Sequence, residues 1–380
     1  MTLPSHTNPD LSVGADNKQG WNQPHQRRHG FHNAHTIFRR TLMVRARRVL
    51  DLTDRPDAAL AAKAQALGIT SDPAFSALVI AQGTDVLFQA AAADFATNRP
   101  HSLQSISKMH MHLIMAELFA AGTLRPTDLV GDLLPGIGSA YATATLADVL
   151  DMNVENDFSE DYSDPEADCF REEEALGWRL PQTERPEETL RGFVTSLTGK
   201  GTHNPSPYCR YKSANTDVLT VIASAHVDLR QRVEAICDAA GYEGGFHISL
   251  SPEHLPAFSG GGCLSARDLA RFGLLFARRG QAVYGAPVGV AAAFDEALTR
   301  QAPMVSPKRG TMRYSNHIMT RNGWVGHAGY GGQFLMVNMA SGRVAAFLSV
   351  LENESGYDED YMLDVITKLE ALCLGLSVVE

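Results

Sequence analysis

The apolar positions of this chain change their spacing three times between the two termini. Residues 1 to about 35 are polar, rich in His and Asn, and aperiodic. That pattern predicts an arm, mobile or pinned across the surface, that adds nothing to the core. Ala59 to Leu67 reads as a short helix. SALVIAQ (76–82) and DVLFQAAA (85–92) flank Gly83-Thr84 as a strand pair. From about 105 to 240 the apolar residues recur three and four apart. This spacing predicts helices over Ser105 to Ala121, Thr145 to Met152, Glu187 to Leu197, Asn215 to Val227 and Arg230 to Ala240. Gly260-Gly261-Gly262 precedes a further helix, Ser265 to Ala277, with Ser265 as its N-cap. QFLMVNM (333–339) and RVAAFLSVL (343–351) form a second hairpin through Ala340-Ser341-Gly342, and a helix from about Asp358 to Leu374 closes the chain.

Strands at both ends around a helical middle imply one sheet built by the two ends of the chain, with a helical domain inserted in it. The boundaries read as an arm over 1–35, an α/β sheet domain from 36–104 and 245–380, and an α-helical domain over 105–244. The fold class is therefore α+β. No internal repeat or low-complexity tract interrupts it.

Charge adds two features. A formal net charge of −10 argues against nucleic acid as a partner, because phosphate recognition relies on clustered Lys and Arg. The charge is also segregated. From Lys18 to Leu50, eight basic residues meet no acidic one, and from Asp151 to Ala175 eleven carboxylates face only Arg171. The acidic stretch reads as a solvated loop, as a lid that draws cationic substrates, or as a dock for the basic arm. The five cysteines are scattered without a Cys-x-x-Cys pair, which suits a reduced compartment. The first residues lack a secretory pattern, and no apolar run approaches the roughly 20 residues of a membrane span. The expected location is the cytoplasm, with no membrane partner.

Candidate chemistry begins with Ser105-Ile106-Ser107-Lys108, the only Ser-x-x-Lys in the chain, at the start of a strongly apolar helix. Residues three apart on a helix share a face, so the Ser105 hydroxyl and the Lys108 amine come within hydrogen-bond reach. A hydroxyl in a first turn also sits beside N–H groups free to face an oxyanion. Lysine acts as a base only when neutral, and burial can lower its pKa. A capping serine followed by a surface lysine would give the same four letters. Downstream, Tyr211-Lys212-Ser213-Ala214-Asn215 lies just before another apolar helix, so Tyr211 can project from a loop as a proton relay. Gly326-His327-Ala328-Gly329-Tyr330 precedes the terminal hairpin, where small residues let a substrate lie against a strand edge. Tyr314-Ser315-Asn316 repeats the Tyr-x-Asn pattern but sits close before His327, in a neighbouring sheet segment. His29, His32 and His35 lack a Cys or carboxylate companion and read as a polar arm. His110 and His112 read as packed histidines, and Asn215 and Asp217 as helix caps.

Taken in order, Ser105 to Lys108, Tyr211 to Ser213 and His327 to Gly329 resemble the three motifs of the serine β-lactamase and penicillin-binding-protein superfamily, in its class C-like branch. GGGCLSARDLARFG (260–273) and AAGTLRPTDLVGDLLP (120–135) are similar too, and the likeness spans roughly 75 to 375. Within the branch, YKSANTDVL (211–219), LDMNVENDFSEDYSD (150–164) and Gly177-Trp178 look most like 6-aminohexanoate-dimer hydrolases and related carboxylesterases. The resemblance implies an antiparallel sheet flanked by helices plus an α-helical domain, with the site between them. It implies that Ser105 is acylated, that Lys108 and Tyr211 shuttle protons, that the N–H groups of Ser105 and Tyr330 form the oxyanion hole, and that Tyr162 reaches the site. Neither a cofactor nor a metal is required.

Two positions depart from the pattern: Ser213 stands where many relatives have Asn, and His327 stands where they have Lys. Loss of that cation weakens binding of a carboxylate such as a penicillin's and suits amides or esters better. The expected substrate is a small-molecule amide or ester, and a homodimer is left open. A β-lactamase or D,D-peptidase, and a catalytically silent binding protein on the same fold, are the competing readings.

Overall fold

The computed structural model describes residues 18–162, 164–180, 186–199 and 203–375. Among them the strands are β1 (Thr41–Arg45), β2 (Thr53–Asp54), β3 (Phe75–Gln82), β4 (Asp85–Ala91), β5 (His101–Ser102), β6 (Gly245–Ser249), β7 (Gly262–Leu264), β8 (Arg313–Ser315), β9 (Ile318–Arg321), β10 (Trp324–Ala328), β11 (Phe334–Asn338) and β12 (Arg343–Ser349).

The end strands pair as the apolar pattern implies, for a physical reason visible in β3. Its run of apolar residues divides by the strand's period of two. Ala77, Val79 and Ala81 face one core and Leu78 and Ile80 face another. β11 divides the same way, with Leu335 and Val337 on the first face and Phe334 and Met336 on the second. A sheet covered on both faces has continuous apolar strands rather than alternating ones. Helix Ala266–Ala277 covers the first face, and helix Glu359–Leu374 covers the second. The strand order is β2-β4-β3-β12-β11-β10-β9-β8, antiparallel except where β2 meets β4. β3 and β12, far apart in sequence, are central neighbours with Ala345 opposite Ile80.

One sheet was expected, and the described residues form two. β1, β6, β7 and β5 form a separate antiparallel sheet of four strands. These strands are too short to give a clear period-two signal. β7 arises within the Gly260 to Gly262 region and pairs with β5 immediately before Ser105. Between β5 and β6 the described residues contain helices and loops only.

The N-terminal segment also departs from expectation. Residues Lys18–Trp21 and Pro24–Ile37 are helical, and Trp21, Phe31 and Ile37 are buried in a small core with Val350. The helix escaped the apolar pattern because part of its buried face is polar. Arg27 is buried and donates to the carbonyls of Leu351 (2.8 Å) and Asn353 (2.5 Å), and His32 bonds Ser76 Oγ at 3.0 Å. The rest of the arm, residues 1–17, lies outside the described residues.

Candidate active site

Ser105 stands in a short 3-10 helix, Gln104–Lys108, that runs directly into helix Met109–Ala120. The sequence predicts one continuous helix here, and the tighter first turn is the difference. The leading N–H groups of such a turn have no acceptor within it. Gln104 carries a left-handed φ of 49°, a conformation costly for a side chain other than glycine and concentrated at functional sites. The turn is braced from β7: Gly262 N–H donates to Ser107 Oγ at 3.0 Å, and a Cβ at Gly262 would stand 2.7 Å from that oxygen. Glycine is thus needed for β7 to approach the Ser105 turn so closely.

Lys108 points from this turn into a buried polar cluster. Its Nζ donates to Ser105 Oγ (3.1 Å), Ser213 Oγ (3.0 Å) and the Ser259 carbonyl (2.5 Å). Burial lowers the Lys108 pKa below its usual value, opposed by the charges of Glu160, Glu172 and Asp217. Those carboxylates were not among the candidates. Glu172 and Asp217 face one another where burial raises both, Asp217 to about 6. Glu160 accepts from Ser213 twice, N–H at 2.8 Å and Oγ at 2.7 Å. A hydrogen-bonded path therefore runs from Lys108 through the Ser213 hydroxyl to Glu160, which lines a cavity of about 780 Å³. Serine at 213 supplies a hydroxyl that both accepts and donates in this path.

Ser105, Tyr211 and Ser213 line the same cavity. Tyr211 precedes helix Ser213–Ser224, and Lys108 Nζ lies 5.1 Å from the centre of its ring. Its buried Oη has no hydrogen-bond partner of good geometry among the described residues. Burial and then Glu160 hold its pKa well above the usual phenol range, against an opposing contact with Ser105. A buried phenol oxygen without a partner is rare and calls for an explanation beyond the fold.

His327, the first residue of the third motif, is absent from the cavity wall. It is fully buried on β10, bonds Tyr314 Oη through Nε2 at 2.9 Å, and is held well below the usual histidine pKa by burial and Lys108. Tyr314 is itself buried, edge-on to Tyr211 at 5.7 Å, so the second Tyr-x-Asn supports Tyr211 from behind. Gly329 does line the cavity, and its lack of a side chain has a cause: a Cβ there would lie 2.6 Å from the Leu103 carbonyl, two residues before Ser105. Tyr330 and Tyr162 also line the cavity, with ring centres 5.2 Å apart.

Asn215 stands inside helix Ser213–Ser224 rather than capping it, and it lies outside the cavity wall. It accepts from Tyr141 Oη (2.7 Å) and donates to the Val149 carbonyl (3.1 Å), tying the Tyr211 loop to its neighbours. Asp217 is likewise internal to that helix. His110 and His112 are packed, each through Nδ1 on a backbone carbonyl. The acidic stretch is no solvated loop throughout: helix Asp168–Ala175 buries Glu172, Glu173 and Glu174. Trp178, whose Nε1 donates to Ser249 Oγ at 2.5 Å, completes that wall.

A model of the β-lactamase family matches residues 64–365. The chain belongs to the β-lactamase family. It is 31% identical over 220 residues to the 6-aminohexanoate-dimer hydrolase of Paenarthrobacter ureafaciens, covering 55% of this chain and 53% of that protein. The match thus spans about half the length of that hydrolase. Among solved structures, "Putative 6-aminohexanoate-dimer hydrolase from Bacillus anthracis" superposes with a TM-score of 0.79 at 16% identity, over 98% of this chain and all of that one. EstCE1, a hydrolase with promiscuous acyltransferase activity, superposes with a TM-score of 0.57 at 18% identity, over 82% of this chain and 98% of its own. These superpositions establish the β-lactamase-like fold. Among the described residues no helix is long and apolar enough to cross a membrane.

Proposed function

We propose that the protein is a serine hydrolase that cleaves an amide or ester bond of a small molecule through an acyl-enzyme on Ser105. The observation that carries this reading is the 3.1 Å contact between Ser105 Oγ and a buried Lys108 Nζ whose pKa burial depresses, at the edge of the cavity. Neutral Lys108 takes the hydroxyl proton as Ser105 attacks the carbonyl carbon, and the path through Ser213 to Glu160 carries that proton onward. Tyr211 donates to the leaving amine or alkoxide. The N–H groups of Ser105 and Tyr330 hold the oxyanion. In the second half the Tyr211 phenolate takes a proton from the water that attacks the acyl carbon, and the proton held at Glu160 returns through Ser213 and Lys108 to the departing Ser105 oxygen, which releases the acid and restores each group. The helical segment over 105–244 supplies Ser105, Lys108 and Tyr211, while the sheet domain supplies Gly329 and Tyr330, so the site lies between the two. His327 offers no cation to the cavity, and the two cations that do line it, Lys308 and Arg309, are paired with Asp360 and Glu359, which favours amides and esters over carboxylate-anchored β-lactams.

The test is a fluorophosphonate probe with the labelled peptide located by mass spectrometry, run beside p-nitrophenyl esters, amino-acid amides and nitrocefin. Label on Ser105 with turnover of an ester or amide is the expected result. A folded protein that takes no label would instead be a binding protein, and rapid nitrocefin turnover would make it a β-lactamase.

The two tyrosines separate by the same assay. Tyr211→Phe is expected to lower kcat/KM on the order of 10²-fold, because it removes the donor while keeping the ring. Tyr314→Phe keeps the edge-on packing and loses only the bond to His327, so its effect should stay below about tenfold. The reverse order of effects would exchange their roles.

A further inference from the structure

A cation that belongs to the chain itself stands against residues of the cavity wall. Lys18, on the first described helix, is 98% buried, and its Nζ forms an ion pair with Glu173, which is equally sequestered. The ammonium also stands 4.7 Å from the ring centre of Trp178, 5.4 Å from that of Tyr162 and 5.8 Å from that of Tyr330. Three aromatic rings and a carboxylate around one ammonium make a cage suited to an alkylammonium group. All four cage residues also line the cavity that holds Ser105. The lysine is held at both ends, since its backbone N–H donates to the Trp178 carbonyl at 2.9 Å.

A buried lysine in a surface-rich N-terminal segment needs a reason. Burying an ion pair is at best weakly stabilising, because desolvation offsets the attraction. Glu173 does not depend on Lys18 for neutralisation either, because Arg179 Nε pairs with its other oxygen at 2.6 Å. The second cation is therefore surplus to charge balance, and it stands against four residues that line the cavity.

We propose that Lys18 is a specificity-determining residue: it occupies an alkylammonium subsite built by Glu173, Trp178, Tyr162 and Tyr330 and so closes that end of the cavity to cationic substrate groups. With both Glu173 oxygens engaged, this carboxylate neither attracts nor accepts a substrate amine in the native protein. The substrate end that meets this wall is neutral. This inference rests on the cavity being the substrate site proposed above, so its test includes a binding measurement that needs no turnover.

The probe is n-butylammonium, the lysine side chain without its backbone, with butan-1-ol as the neutral control. Lys18→Ala is expected to bind butylammonium at least about tenfold more tightly than the native protein does by titration calorimetry, with no gain for butanol. The ratio of kcat/KM for an ester bearing a terminal ammonium over its neutral isostere should rise by a similar factor. Lys18→Ala/Glu173→Gln should lose the gain. Arg179 continues to neutralise Glu173 in Lys18→Ala, so the variant is expected to fold and to react with the fluorophosphonate. Should it not fold, Lys18→Ser, which likewise empties the space between the rings, carries the same two measurements. A folded variant that binds butylammonium no better than the native protein overturns the proposal, whatever the fate of the hydrolase reading. Loss of fluorophosphonate reaction in the native protein, with the binding gain intact, would instead overturn the hydrolase reading alone.

Discussion

Ser105→Ala is expected to lower turnover on the order of 10³-fold or more and to abolish covalent labelling, with the melting temperature little changed. The expectation follows from what Ser105 Oγ touches. Its polar neighbours are Lys108 Nζ and the Tyr211 hydroxyl, which already lacks a well-formed hydrogen bond in the native protein. Lys108 retains Ser213 Oγ and the Ser259 carbonyl after the change. The turn keeps its brace from Gly262 to Ser107, because that contact belongs to the neighbouring serine. Removing one partly exposed hydroxyl therefore costs chemistry and almost no stability. Near-native kcat in a folded Ser105→Ala protein would remove the nucleophile from the mechanism. Ser107→Ala is the internal control in the opposite sense. It removes a buried acceptor, leaves the Gly262 N–H unpaired, and should cost stability by about 1–3 kcal/mol.

What the sequence showed well was the part of the fold where one physical signal dominates. β3, β4, β11, β12 and helices Ala266–Ala277 and Glu359–Leu374 fall within a residue or two of their predicted spans, because apolar burial sets their periods. Ser265 caps its helix as expected, accepting from the Asp268 N–H. Ser105, Tyr211, Ser213, Gly329, Tyr330 and Tyr162 all reach one cavity. The residues that escaped are charged groups held by partners remote in the chain: buried Lys18 by Glu173, half-buried Glu160 by Ser213, buried Arg27 by the carbonyls after β12. A carboxylate in a run of eleven reads as solvated until something distant covers it. The same holds for His327, whose motif position pointed to the cavity while its actual neighbour is Tyr314. Short motifs locate a backbone segment, and the direction of a side chain depends on contacts that no motif records.

Lys108→Ala is expected to reduce kcat/KM on the order of 10²-fold or more, and Lys108→Arg should not rescue it. The reason lies in protonation. A base must be neutral to accept the Ser105 proton, and a guanidinium stays charged throughout the accessible range. Burial moves the lysine pKa downward, so the neutral form gains population at a pH where an exposed lysine would remain an ammonium. Protonation inactivates this base, so kcat/KM in the native protein should fall as pH drops through the depressed Lys108 pKa and level off above it. The three carboxylates set where that limb lies. Glu160, Glu172 and Asp217 each favour the ammonium, which opposes the burial effect. Glu160→Gln removes one of these charges while keeping a side chain able to bond Ser213. It should move the limb toward lower pH, while Lys108→Ala should flatten it. A limb that stays in place in Glu160→Gln and persists in Lys108→Ala would assign the titration to another group and leave Lys108 with a purely structural role. The Lys108→Ala protein must be checked for folding by its melting curve. Losing the buried ammonium leaves Ser213 Oγ and the Ser259 carbonyl without their donor and the carboxylates without their nearest cation. A modest loss of stability is therefore expected alongside the loss of rate. Because Lys108→Arg restores the charge without restoring a titratable base, it divides the two effects: stability should recover in part where the larger group fits, and activity should not.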